Sequence, residues 1–244
     1  MTPPPLLRLD WCGYNAALYA VRTWHYSKSL PTPPLVRIGV WESGEFIGCV
    51  LFSRGANKNL GTPYGLGVTK VAELARVALA DGHHAPVSQI LGIAIRLLKK
   101  HCPGLRLIIS FADVNQGHHG GIYQASNWVY TGRTSASTVF CTPDGRVLHG
   151  REVSLRGIIS YYGKLQRVPK ISDCVKMTQL PKHRYLYPLD RAMAAQIRLL
   201  AQPYPHRVAS IQDAPMDHIG EGGAAPTATL TGVSTQCHVD AIPN

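Results

Sequence analysis

The chain has 244 residues, 45% of them hydrophobic, which suits one domain of ordinary size with a real core. No apolar run approaches the ~18 residues that span a bilayer, and MTPPPLLRLD lacks the basic start and apolar stretch of a signal peptide, so a cytoplasmic protein without membrane contact is expected. Charge is uneven: residues 1–150 hold 14 Lys and Arg against 7 acids, residues 151–207 hold 11 against 3, and residues 208–244 hold 4 acids and no Lys or Arg.

Asp10 to Thr23 reads as a helix: Leu18, Val21 and the Ala16–Ala17 pair recur at helical spacing, and Asp10 is placed to cap. The turn Pro31-Thr-Pro-Pro34 closes the segment after that helix. Two strand-like runs, Leu35–Glu42 and Phe46–Arg54, are joined by the hairpin signal Ser43-Gly44-Glu45. Residues 55–67 form a Gly/Asn/Pro loop, and the rough alternation of Val68–Ala80 predicts a long strand. On it, Glu73 and Arg76 stand three apart and are expected to face opposite sides. Arg76 is costly to bury unpaired, so it is the stronger site candidate of the two.

From Pro86 to Lys100 the period becomes helical, with Ile90, Ile93, Leu97 and Leu98 as the apolar stripe. Leu105–Phe111 is a short apolar strand, Gly117–Ser126 starts a helix, and Trp128–Gly132 is another strand. Val139–Cys141 and Val147–His149 flank the turn Pro143-Asp-Gly145. Residues 151–207 are basic with five tyrosines, and residues 208–244 lack large apolar side chains, so a disordered tail is expected. The reading is thus one catalytic domain over 1–207, with a basic C-terminal part at 151–207, followed by the tail. Its element order requires an α/β fold: a central mixed sheet with helices on both faces. Six cysteines without a CxxC pair predict reduced, mostly buried thiols.

Asp113 follows the apolar strand by two residues, at the end where ligands collect in such sheets. It either caps the helix near Gly117 or acts on a substrate. Tyr123 is either a core residue with a satisfied hydroxyl or a general acid. Tyr26, after His25, is suited to stack on an extruded base. The pairs His83-His84 and His118-His119 lack the i,i+4 spacing of a helical chelate. The surplus of positive charge favours a polyanion, and residues 161–191 interleave aromatics with Lys164, Arg167, Lys170, Lys182 and Arg184. A DNA surface and a solvated basic face are both compatible with that pattern.

The element order resembles that of the GNAT acyltransferases, which implies acetyl-CoA or a related CoA thioester as cofactor. Gln89-Ile-Leu-Gly92-Ile-Ala94 matches the form of their pyrophosphate loop, with Ser88 ahead of it as an N-cap or a phosphate contact. Ser110-Phe-Ala-Asp-Val-Asn-Gln-Gly-His-His-Gly-Gly-Ile-Tyr-Gln-Ala-Ser-Asn-Trp-Val-Tyr-Thr-Gly132 is more specific. Together with Trp24-His-Tyr-Ser27 and Glu73-Leu-Ala-Arg76, it resembles the phage Mu-type Mom proteins, a divergent GNAT branch, over roughly residues 10–190. The resemblance implies a transferase that places a carbamoylmethyl group on adenine N6 in double-stranded DNA, shielding it from restriction. Tyr26, Arg76, Asp113 and Tyr123 are then the expected catalytic residues. Joining N6 to a CH2 carbon is not simple acyl transfer, and iron held by His25, Asp113 and His118 is one route to the needed activation. A conventional GNAT N-acetyltransferase acting on a small amine or protein, and a non-catalytic DNA-binding protein, are the competing readings.

Overall fold

The computed structural model describes residues 6–55, 57–150, 153, 158–161 and 164–206, with 149, 159–161 and 164–166 through their backbone alone. The expected tail lies outside the described residues. The described residues divide into two compact units, those up to Ser135 with Pro181–Pro205, and those of Ala136–Leu180. Among the described residues the strands are β1 (Leu7–Trp11), β2 (Leu35–Glu42), β3 (Glu45–Ser53), β4 (Val71–Leu79), β5 (Leu107–Ala112), β6 (Val129–Arg133), β7 (Ser137–Cys141), β8 (Val147–His149), β9 (Ile158–Tyr161), β10 (Lys164–Arg167), β11 (Val175–Gln179) and β12 (His183–Pro188). The helices are α1 (Tyr14–Trp24), α2 (Val87–His101), α3 (Gly121–Gln124) and α4 (Arg191–Arg198).

In the first unit a seven-stranded sheet runs in the order β1-β2-β3-β4-β5-β12-β6. Neighbours are antiparallel except β4 and β5, which are parallel because α2 carries the chain back between them. Helix α2 buries Ile90, Leu91, Ala94, Ile95 and Leu98 on the face that presents Val50, Phe52, Leu74 and Ile108. The alternate residues of the same strands face the other way. There Cys49, Leu51 and Ala78 receive Ala17, Ala20 and Val21 of α1, while Leu107, Ile109 and Leu186 receive Met193 and Ile197 of α4. This is the expected α/β mixed sheet with helices on both faces.

The largest departure is at the start. Residues 10 and 11 are not helical: Asp10 sits in β1, pairs across to Gly39, and hydrogen-bonds Arg8 and the Trp11 amide instead of capping. Leu7 and Leu9 pack on the core from this strand, and the helix waits until Gly13 has turned the chain. The helix expected at Gly117–Ser126 is a single turn, α3, because Gly117 and Gly120 both take left-handed backbone ahead of it. The two hairpins form at Ser43-Gly44 and at Pro143-Asp-Gly145, as their turn residues demand.

The second unit carries the sheet β11-β7-β8 and the hairpin β9–β10, with Leu148, Val153 and Val168 as its small core. Cys12, Cys49, Cys102 and Cys174 are free thiols, whereas Cys141 is disulfide-bonded, contrary to the expectation of six reduced cysteines. No described helix is long and apolar enough to cross a membrane.

Candidate active site

The parallel pair opens like a wedge. Pairing joins Val71, Ala72 and Glu73 to Leu107, Ile108 and Ile109 and goes no further, although β4 continues to Leu79. At that point β4 is bulged: Leu51 of β3 opposes Arg76 and Phe52 opposes Leu74, leaving Ala75 as the extra residue. Paired residues share a face, so Arg76 lies with Leu51 and Glu73 with Ser53, all on the α1 side. The expectation that Glu73 and Arg76 face opposite sides is therefore wrong, since the extra residue resets the alternation.

Ser110 of β5, almost fully buried, spans the opening. Its Oγ is 2.8 Å from the Leu74 carbonyl oxygen and 2.8 Å from the Tyr123 hydroxyl. With one proton to give, Ser110 donates to the carbonyl and accepts from the tyrosine. Burial pushes Tyr123 up to about 12, so the phenol keeps its proton. Tyr123 thus takes the core position with a satisfied hydroxyl.

Asp113 follows directly after β5 and is buried. Its Oδ1 accepts from the backbone and side-chain amides of Asn115, capping the short 3-10 turn Val114–Gln116, and Oδ2 lies 2.8 Å from Lys182 Nζ. Burial raises the carboxyl pKa, but the Lys182 and Asn115 hydrogen bonds outweigh it and hold the group below the usual carboxylate range. The cap is real, yet it serves a turn and not the helix near Gly117.

His25, Tyr26 and His118 close the site. Tyr26 stacks on His25 with ring centres 4.3 Å apart and meets His118 edge-on at 5.4 Å. It is about half exposed, and it lies within electrostatic range of Asp113, Lys182 and Arg76. Burial lowers His25 to about 3, helped by the positive fields of Arg76, His118 and Lys28. Nδ1 of His25 accepts from the Ser27 amide at 3.0 Å, so the neutral ring carries its proton on Nε2. Arg76 donates through Nη1 to the Ala75 carbonyl at 2.7 Å, and its buried Nε has no acceptor among the described residues.

The metal assignment to His25, Asp113 and His118 is not supported. Among the described residues no three His, Cys, Asp or Glu side chains come together as a metal site. The reason is local: the Ser27 amide fixes His25 with a protonated Nε2, and the Lys182 ammonium, 2.8 Å from Asp113 Oδ2, already puts a cation beside the carboxylate.

Ser88, Gln89 and Gly92 lie inside α2, which is capped by Pro86 without a side-chain bond, so Ser88 is not the N-cap. The amides of Gln89 and Ile90 are already bonded to Pro86, and Leu91 and Ala94 are core residues. The free amides at this end are those of Val87 and Ser88. In the loop just before them, the His84 and Ala85 amides are held by the carboxylate of Glu42 within 3.1 Å.

The five expected DNA-contacting cations do not share one element. Lys164, Arg167 and Lys170 belong to the second unit, where Arg167 and Lys170 are exposed and Lys164 is described through its backbone alone. Lys182 and Arg184 belong to the first. There Lys182 is committed to Asp113, and Arg184 grips the hydroxyl and carbonyl of Thr131 at 2.9 and 3.0 Å. Sequence reading missed Ser110 and the placement of Lys182. The signal for the first was present, a lone hydroxyl within the apolar run Leu105–Phe111.

The model of the Mom protein family matches residues 6–206. The chain is 26% identical over 205 residues to "Methylcarbamoylase mom" of Escherichia phage Mu, covering 82% of this chain and 83% of that protein. Similar solved structures include an IAA acetyltransferase from Bacillus cereus ATCC 14579, 12% identical with TM-score 0.40, covering 75% of this chain and 100% of that one. A GNAT family acetyltransferase from Elizabethkingia anophelis, solved with acetyl-CoA bound, is 12% identical with TM-score 0.37, covering 77% and 100%.

Proposed function

The chain belongs to the Mom protein family, and from that premise we propose that it is a transferase adding a carbamoylmethyl-type group to adenine N6 in double-stranded DNA, protecting it from restriction. The observation that carries the reading is the convergence of Tyr26, Arg76, Asp113 and His118 at the open end of β4 and β5. These side chains come from separate segments, and together they provide a flat wall, a fixed anion and a donor without an acceptor.

An adenine drawn out of the stack meets the exposed Tyr26 ring, which His25 backs and His118 flanks. Its amine is a poor nucleophile because the lone pair is delocalised into the ring. Asp113, ionised and held at both oxygens, accepts a hydrogen bond from that amine and orients it. With its pKa depressed, Asp113 acts as a fixed acceptor at neutral pH and not as the final resting place of the proton. Arg76, whose buried Nε has no acceptor among the described residues, would supply a donor to an oxygen on which charge develops. The Ser110 hydroxyl, held by Tyr123, ties β5 to the Leu74 carbonyl of β4 where the pairing stops.

A CoA thioester fits this frame. The edges of β4 and β5 past Glu73 and Ile109 are not paired with one another and suit its amide-bearing arm, and the free Val87 and Ser88 amides suit its diphosphate. When bound it would supply a thioester-activated acyl group, whose carbonyl carbon joins an amine as an amide with release of the thiol; the N6–CH2 bond of a carbamoylmethyl group requires a step beyond that transfer.

The test is mass spectrometry of nucleosides from DNA of cells expressing the chain. A new adenine nucleoside carrying the mass of a carbamoylmethyl substituent is the expected result. Unmodified bases would reject it, leaving a DNA-binding protein if salt-sensitive DNA affinity remains and a conventional N-acetyltransferase if an acetylated amine is formed instead.

A further inference from the structure

Among the described residues five aromatic side chains are strongly exposed, and four of them, Trp11, Tyr14, Tyr19 and Tyr26, fall on α1 and its two ends. On this helix Ala17, Ala20 and Val21 face the sheet, so Asn15, Tyr19 and Arg22, spaced four and three apart, form the outward ridge. That ridge is about 10 Å long at 1.5 Å per residue, and it runs toward Tyr26 at the mouth of the site. Tyr19, 56% exposed, is held upright by an edge contact to Trp24 at 5.3 Å, and Trp24 rests on Phe46. The ring is thus braced on one edge.

Charge agrees with the shape. Residues 11–41 contain Arg22, Lys28 and Arg37 but no Asp or Glu. An exposed aromatic beside exposed cations, with no acid along the segment, suits a nucleic-acid strand: bases stack on the ring while phosphates meet the cations. We propose that the α1 ridge is the track for the DNA strand flanking the target adenine, with a neighbouring base on Tyr19 and its phosphates on Arg22 and Lys28. The proposal rests on the DNA reading above and adds where the strand runs.

The test is fluorescence anisotropy of labelled duplexes, one fully paired and one with a single unpaired adenine, against wild type, Tyr19→Ala/Arg22→Ala and Arg22→Glu. The double variant should bind the unpaired-adenine duplex about tenfold more weakly, consistent with the loss of one stacked base. Its preference for that duplex over the paired one should shrink. Arg22→Glu removes no packing, so it carries the test if the double variant is poorly folded, and it too should weaken binding and flatten the salt dependence. Wild-type affinity in both variants, with DNA modification intact, overturns the track while leaving the function. No salt-sensitive binding of either duplex by wild type overturns both.

Discussion

Asp113 and His25 sit in one cluster yet respond to pH in different windows. Asp113 has its pKa depressed in the fold, so its contribution to stability is present above the ordinary carboxylate value and is lost only as pH falls through the lowered one. His25 is lowered from 6.5 to about 3, so between those values the unfolded chain takes up a proton that the folded chain refuses. Stability is therefore whole above about 6.5 and declines as pH falls toward 3. Melting curves at pH 7 and pH 4.5 should show wild type losing roughly 8 °C more than His25→Gln, a shift worth about 2.7 kcal/mol at about 1.4 kcal/mol for each pH unit below 6.5. Equal losses would show that His25 is not held neutral. Removing Lys182 acts on the other group: in Lys182→Met the buried Asp113 keeps only its Asn115 bonds. The acid limb of the pH–activity profile should then move to higher pH, and an unmoved limb would assign Lys182 to DNA contact alone. The residues of this cluster were legible in the sequence because they are chemistry-bearing types at the ends of readable elements. The pairing of Lys182 with Asp113 was not legible, because a lysine among basic neighbours looks like surface and nothing local reveals a partner 69 positions away.

Elements with strong turn chemistry or clear periodicity were legible: the hairpins at Ser43-Gly44 and Pro143-Asp-Gly145, and helix α2. Where several short structures compete, tertiary packing decided. Asp10 reads as a cap, but pairing of β1 with β2 claims it for the sheet. The bulge at Ala75 leaves no trace in composition, and it is what brings Arg76 to the site face. Gly120 shows how tightly the turn before α3 is made. Its φ is +90°, and a methyl group there would run into the Tyr185 ring, whose hydroxyl is bonded to the His119 carbonyl. Gly120→Ala should destabilise by about 2 kcal/mol through strain and overpacking, seen as a drop of several degrees in Tm. An unchanged Tm would mean that this turn yields easily to the added methyl.

For the molecule as a whole, the basic surplus is divided between two compact units. The cations of residues 161–191 are divided between the units, with Lys182 and Arg184 in the first and Lys164, Arg167 and Lys170 in the second. If the second unit meets phosphates, Lys164→Ala/Arg167→Ala/Lys170→Ala should reduce the slope of log K against log salt by up to about 2.7, near 0.9 for each contact. An unchanged slope would remove this unit from the interface. Under the proposed function, the wedge between β4 and β5, with Asp113 at its rim, would modify adenine in DNA. The most direct measurement compares adenine nucleosides, by mass spectrometry, in DNA from cells expressing wild type and Asp113→Asn, with melting curves of both proteins alongside. Asparagine still caps the turn, so Tm should stay within a few degrees while modified adenine falls by roughly 10²-fold. Near-normal modification by a folded Asp113→Asn protein would contradict the account.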